Sequence, residues 1–359
     1  MGAISSHRGI SADYLSRVLG PEFGEQKLAI QSVVPIGTGQ MAESYRVSFA
    51  IEQETKKHRP KTPVSVVVKV PSQNEKSRNA SRATRCYELE TSFYSTLRSL
   101  VNVDAPKCLH VWYDATVDDF VLVLEDIVGA TQGDQIAGAS IEQAEASIDQ
   151  LVKLHAPLWG SPRLRTLGWL PVHSPSSVAG TGSLLQAMFP GFAERFAATV
   201  DAEIISLGSR LVENFDRYNS AFPEVLTVAH RDFRLDNLLF GRDPGGQFVK
   251  VVDWQTVGAM PGASDLGYFI GASFNVEDRR THEEMLVRRY CAGLVRQQID
   301  ARFDEIWAQY RLLGTTGFIM AIVASVLVKQ TERGDAMFAA MANRHGRQML
   351  DLEAEKLFA

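Results

Sequence analysis

One short stretch limits what this chain can fold into. Residues 227–240 read Thr-Val-Ala-His-Arg-Asp-Phe-Arg-Leu-Asp-Asn-Leu-Leu-Phe, and Val251-Val252-Asp253-Trp254 follows. The pattern is H-x-D-x-x-x-x-N, an apolar run, then a second Asp. Leu238-Leu239-Phe240 and the run from Phe248 to Val252 flank Asp243-Pro244-Gly245-Gly246, which predicts a β-hairpin. A hairpin there places the acidic segments together at its open end. Phosphoryl transfer from a magnesium-bound nucleotide needs such a set. Asp232 would take the proton of an attacking hydroxyl, with His230 and Asn237 in the same loop. Asn237 and Asp253 would supply the oxygen ligands that a hard cation such as Mg²⁺ prefers. Asp and Asn also cap ordinary turns, so the weight rests on the whole pattern rather than on any one residue.

The residues upstream supply the remaining parts in order. Ser11 predicts the N-cap of a helix to Leu19, ended by Gly20-Pro21. Residues 29–36 and 44–51 read as strands around Gly37-Thr38-Gly39. A glycine turn between strands can fold over phosphates, although two glycines alone mark only a turn. Residues 52–62 read as an exposed loop. Val64 to Val70 is a β-prone run interrupted by Lys69. A lysine on a buried strand must be paired or wetted. The expected partner lies on a helix over residues 82–100, where Glu90 is preferred over Glu88 because Phe93 and Tyr94 share its face. Two strands around Asp118-Asp119 lead to Glu125-Asp126-Ile127. There the backbone of Glu125 and Ile127 is the expected contact for an adenine edge.

Residues 141–155 predict a helix with His155 on its core face. Leu184 to Phe215 predicts helices broken at Pro190-Gly191, and the chain after the hairpin reads as helical to its end. The most apolar run, Leu312 to Val328, has 17 residues including Gly314, Thr315, Thr316 and Gly317. That is short for a membrane span, and a buried helix is expected instead.

At 359 residues the chain has length for two lobes, here drawn as 1–126 and 127–359. A net charge of −5 gives no electrostatic ground for nucleic-acid binding. Cys86, Cys108 and Cys291 show neither metal spacing nor a disulfide framework. With no apolar leader after Met1, a cytoplasmic setting is expected. Met1-Gly2-Ala3-Ile4-Ser5-Ser6 fits the loose myristoylation pattern, but small residues after an initiator Met are common.

Taken in order, these parts resemble the aminoglycoside phosphotransferase and choline kinase superfamily, nearest its ecdysteroid-kinase-like branch. Val123-Leu124-Glu125-Asp126, Leu154-His155-Ala156 with Trp159, and Val252-Asp253-Trp254-Gln255 through Asp265-Leu266-Gly267-Tyr268 carry the narrower likeness. The resemblance implies an α+β, bilobal protein-kinase-like fold with a small antiparallel-sheet lobe and a larger helical lobe. It implies ATP and Mg²⁺ as cofactors and a small-molecule hydroxyl acceptor. Asp232 would be the base and Asn237 and Asp253 the metal ligands. Lys69 and Glu90 would form the phosphate-side pair, and Asp265 would anchor the catalytic loop.

Two departures stand out. Arg231 replaces the Gly usual between His and Asp in small-molecule kinases; it either pairs with a local acid or approaches the acceptor. Only eleven residues separate Asp253 from Asp265, too few for the activation loop of a protein kinase. Leu184, Leu185, Met188, Phe189, Phe192, Phe196, Tyr268, Phe269 and Phe274 suggest a hydrophobic hydroxylated acceptor, steroid-, macrolide- or hydroxyacyl-like. The alternatives are aminoglycosides, sugars or choline-type compounds, and, in another class, a nucleotide-binding pseudokinase.

Overall fold

The computed structural model describes residues 4, 6–23, 26–37, 41–52 and 64–357. The chain divides into two units, Met1–Ser99 with Ala105–Val128, and Leu100–Asp104 with Gly129–Ala359.

The first unit opens with α1 (Ala12–Val18), whose N-cap Ser11 accepts from the Tyr14 amide, and a single turn, α2 (Gly20–Phe23). Its sheet contains β1 (Lys27–Ile36), β2 (Ala42–Glu52), β3 (Val64–Pro71), β4 (Cys108–Asp114) and β5 (Asp119–Glu125). The order is β1-β2-β3-β5-β4, antiparallel throughout. Alternation along β3 decides what each face does. Val66, Val68 and Val70 enter a core with Leu15, Val47, Phe49 and Val123. Lys69, between them, points to the opposite face.

The helix expected over 82–100 differs in the structure. Helical chain starts earlier, with α3 (Glu75–Thr84) capped by Asn74, and breaks at Arg85 before α4 (Cys86–Ser92). Arg85 is left-handed, at φ 59°, a conformation that costs a non-glycine residue about 1 kcal/mol. Its guanidinium grips Glu88 through two hydrogen bonds of 2.7 and 2.8 Å, which offsets part of that cost. A π-helical turn, Phe93–Leu97, follows α4.

In the second unit, β6 (Thr131–Gln132) precedes α5 (Ile141–His155), which starts in a capping box between Ser140 and Gln143. α6 (Pro175–Arg195) runs through Pro190, where a break was expected. Proline removes the hydrogen bond to the carbonyl of Gln186. Both residues are exposed, so water can serve that carbonyl. The chain leaves the helix only after Arg195, resuming as α7 (Ala202–Glu213) and α8 (Phe215–Ser220).

Next come β7 (Thr227–Ala229), β8 (Leu238–Asp243), β9 (Gly246–Val251) and β10 (Gly258–Met260). The chain after the hairpin is therefore not wholly helical: β10 pairs with β7. Five helices complete the unit: α9 (Ala263–Ser273), α10 (Val276–Arg296), α11 (Phe303–Leu313), α12 (Thr315–Leu327) and α13 (Glu332–Asp351). The apolar run from Leu312 straddles the α11–α12 junction at Gly314. By length and composition Phe303–Leu327 could cross a membrane. Its Leu313, Phe318 and Ile322 are instead buried in the helical core with Phe192 and Phe196.

Candidate active site

In the first unit the strand alternation aims Lys69 at α4. Its Nζ lies 2.9 Å from Glu90 Oε1 and 2.7 Å from Oε2, with both side chains largely buried. Glu88, the alternative partner, is taken by Arg85. Removing one member of such a pair leaves an uncompensated buried charge, so each fixes the other. Gly37 adopts φ +72°, a conformation that favours glycine. Thr38 and Gly39 lie outside the described residues. At the end of β5, Glu125 and Lys107 exchange two hydrogen bonds, of 2.9 Å from the Glu125 amide and 3.1 Å to the Glu125 carboxylate. The Ile127 amide and carbonyl have no hydrogen-bond partner among the described residues.

In the second unit the hairpin register positions a second group of residues. Leu238 pairs with Val251 and Asp243 with Gly246, so the turn falls where the sequence predicts it. The register continues one step beyond the ladder, where the Val252 amide donates to the Asn237 carbonyl at 3.0 Å. Asn237 and Asp253 are thereby brought to one end of the hairpin. The Asn237 amide nitrogen donates to the Asp232 carbonyl and to Asp232 Oδ2, both at 2.9 Å. Its Oδ1 has no donor among the described residues, which leaves it available to a cation. Together with the Asp253 carboxylate, this oxygen set fits magnesium, whose other ligands would be water and phosphate. Among the described residues no cluster of three His, Cys, Asp or Glu side chains could hold a metal by itself.

Asp232 is held from several sides. Tyr268 Oη donates to Oδ1 at 2.7 Å, and Arg234 Nε lies 3.1 and 3.3 Å from the two oxygens. Arg234 also reaches Asp236 Oδ2 at 2.7 Å. Burial alone would raise the Asp236 carboxyl, but the charges of Arg234 and Arg333 outweigh it and hold the group below its ordinary range. His230 does not contact the Asp232 carboxylate. Its Nε2 donates to the Val252 carbonyl at 3.0 Å, and its Nδ1 accepts from the Asp232 amide at 3.3 Å. The imidazole therefore ties the loop to the strand end, and its ring packs on buried Trp254.

Asp265 anchors the loop from beneath. Its Oδ2 accepts from the His230 amide at 2.6 Å and its Oδ1 from the Arg231 amide at 2.8 Å. His155 Nε2 lies 3.3 Å from Oδ2, while its Nδ1 meets Tyr290 Oη at 2.7 Å. Burial opposes ionisation of Asp265, but the hydrogen bond and charge of His155 and the His230 amide prevail, and its carboxyl stays below the ordinary range. The interval from Asp253 to Asp265 is consumed by buried Trp254 and Val257 and by β10, so no long segment is available there.

Arg231 and Asp253 are two of the six described non-glycine residues with positive φ, each at 67°. Such strain concentrates where surrounding structure dictates the backbone. Sequence reasoning missed Tyr268 and Arg234 as holders of Asp232. The signal for Tyr268 was its spacing: three residues after Asp265, it shares that residue's helix face.

The ecdysteroid kinase-like family model matches residues 37–159 and 174–303, well over half of the chain. The chain belongs to the ecdysteroid kinase-like family. No curated protein matches it. Among solved structures it is similar to a microcompartment-associated aminopropanol kinase, at TM-score 0.55 and 13% identity, covering 92% of this chain and 94% of that one. It is similar to the choline kinase LicA from Streptococcus pneumoniae, at 0.52 and 16%, covering 97% and 100%. It also resembles aminoglycoside 2'-phosphotransferase-IIIa, solved with GDP, at 0.52 and 14%, covering 93% and 98%. Family and fold alike are those of small-molecule kinases.

Proposed function

We propose that the chain is an ATP- and Mg²⁺-dependent phosphotransferase that moves the γ-phosphate to a hydroxyl of a small molecule. The observation that carries this reading is the Asp232–Asn237 arrangement. The amide nitrogen of Asn237 fixes the carboxylate, and the register of the hairpin delivers Asp253 to the same end. Asp232 takes the proton as the acceptor oxygen bonds to phosphorus and the bond to the ADP oxygen breaks. Three side-chain donors occupy much of its acceptor capacity, so the proton arrives along a restricted direction. Asn237 Oδ1 and Asp253 would hold magnesium, which when bound neutralises phosphate charge. In the first unit Lys69, oriented by Glu90, would pair with nucleotide phosphates, and the Ile127 backbone would meet the adenine edge. Positioning and fixed charge supply most of the rate for such a transfer.

The residues that suggested an apolar acceptor divide: Leu184 is exposed, Met188 and Phe189 are half-buried, and Tyr268 meets Asp232. Leu185, Phe192, Phe196, Phe269 and Phe274 are nearly inaccessible core.

The test is ADP release with Mg·ATP across amino alcohols, sugars, aminoglycosides, hydroxysteroids, macrolides and hydroxy acids, with Asp232→Ala as control. A signal lost in the variant supports transfer. Nucleotide binding with no turnover on any acceptor would instead leave a pseudokinase.

A further inference from the structure

Arg231 is a cation without an ion-pair partner among the described residues. Its side chain makes no hydrogen bond and no ion pair among the described residues. The carboxylate that acts on it through space, Asp265, has its oxygens committed to the amides of His230 and Arg231 and to His155. Of the two readings open to this residue, pairing with a local acid is not observed: no such ion pair forms among the described residues.

The surroundings are built to receive the guanidinium. A Cβ at Gly258 would stand 2.9 Å from Arg231 Cδ and 3.1 Å from Nη1, so only glycine leaves it room. The Gly258 strand is held beside residues 171–173: the Ala259 amide donates to the Pro171 carbonyl at 2.7 Å, and the His173 amide to the Ala259 carbonyl at 3.0 Å. The His173 ring stacks on Phe222 at 4.2 Å. Burial, helped by the nearby Arg231 charge, holds that imidazole below its ordinary value, so it remains neutral at pH 7. Burial likewise acts against the Arg231 guanidinium, with only Asp265 pulling the other way.

The backbone adds a separate argument. At φ 67° position 231 favours glycine, and the loop would be less strained with it. The chain carries instead a long cation, unpaired among the described residues, adjacent to Asp232 in sequence.

We propose that Arg231, over Gly258 and beside His173, binds an anionic group of the acceptor, so that the substrate is a hydroxylated acid bearing a carboxylate or phosphate. This rests on the phosphotransferase reading of Asp232. It separates the chain from the aminopropanol and choline kinases of the same fold, whose named compounds are cations that this guanidinium would repel.

The experiment measures binding, so that it stands apart from turnover. The full chain, with and without a nonhydrolysable ATP analogue and Mg²⁺, is titrated calorimetrically. The probes are ω-hydroxy carboxylates of four to ten carbons, the matching diols, and the corresponding hydroxyalkyl phosphates. The carboxylate and phosphate series distinguish the two anions. In the wild type an acid should bind at least tenfold more tightly than its diol. Arg231→Gly relieves the backbone and should fold with an undiminished melting temperature. It should lose that preference, weakening the acid about ten- to a hundredfold, as expected for a charge-assisted hydrogen bond. Arg231→Lys keeps the charge but not the fork and should fall between them. Equal binding of acid and diol by the wild type, or an acid preference that survives in Arg231→Gly, would overturn the proposal. Absence of Asp232-dependent transfer with the anion preference intact would overturn the phosphotransferase reading alone.

Discussion

The Tyr268 hydroxyl donates to Oδ1 of Asp232 at 2.7 Å from a side chain that is itself buried. Burial and the Asp232 charge hold the phenol well above its ordinary value, so it stays a donor across the working pH range. Tyr268→Phe keeps the ring and removes the donor. We expect kcat to fall about tenfold with little change in KM for ATP, and stability to drop by about 1–2 kcal/mol. Steady-state kinetics beside thermal unfolding would separate the two effects. An unchanged kcat would mean that Arg234 and Asn237 position the carboxylate without it.

Asp232→Ala and Asp253→Ala should each abolish transfer, but for different reasons. Loss of a positioned base typically costs about 10²–10⁴ in rate. Loss of Asp253 should also weaken Mg·ATP binding, which a titration at varied Mg²⁺ would show. Near-wild-type turnover in either variant would end the assignment.

Lys69→Ala leaves Glu90 as a buried carboxylate deprived of its cation. Removing one partner of such a pair costs about 3–5 kcal/mol. The variant should unfold at lower temperature, and the folded protein should show a raised KM for ATP. Lys69→Ala with Glu90→Gln should recover stability but not ATP affinity. Recovery of both would remove Lys69 from the nucleotide site.

His345 gives the pH dependence. Burial pushes its imidazole down to about 4, its hydrogen bond to Gln348 opposing only in part, and its Nε2 has no partner among the described residues. The unfolded chain would protonate this residue near its ordinary 6.5. Between those values the unfolded state binds the extra proton, so stability is full above pH 6.5 and is lost as pH falls toward 4. The loss should approach about 3 kcal/mol. Denaturant unfolding at pH 7 and pH 4.5 would measure it. His345→Gln should flatten the slope through this window, and an unaltered slope would assign it to other groups.

The sequence made the hairpin and its end groups legible because register follows from alternation and turn chemistry over short distances. Asn237 and Asp253 were found this way, whereas Lys69 was singled out as a charge on a buried strand that needed an acid from the next helix. What stayed hidden depended on contacts between distant segments or on cancellation of local costs. The left-handed Arg85 is invisible without knowing that Glu88 grips it. Pro190 looks like a breaker until its helix face is known to be exposed. Phe192, Phe196, Phe269 and Phe274, read as a possible pocket lining, are core, because composition alone cannot say which face of a helix meets a neighbour. Arg231 stood out as a departure, but only the occupied oxygens of Asp265 show that it is unpaired among the described residues.

Residues 100–104 belong with the second unit although their neighbours on both sides belong to the first. The Val251 amide, at the end of β9, donates to the Asp104 carbonyl at 2.7 Å, and the Asp104 amide donates to Gln150 Oε1 at 2.8 Å. A fragment beginning at Gly129 would therefore lack the acceptor that closes the strand leading to Asp253. The two units cannot be separated by one cut, and a gene fusion or truncation that treats residue 128 as a seam would damage the end of the hairpin that carries Asp253 before it touched any residue named in the chemistry.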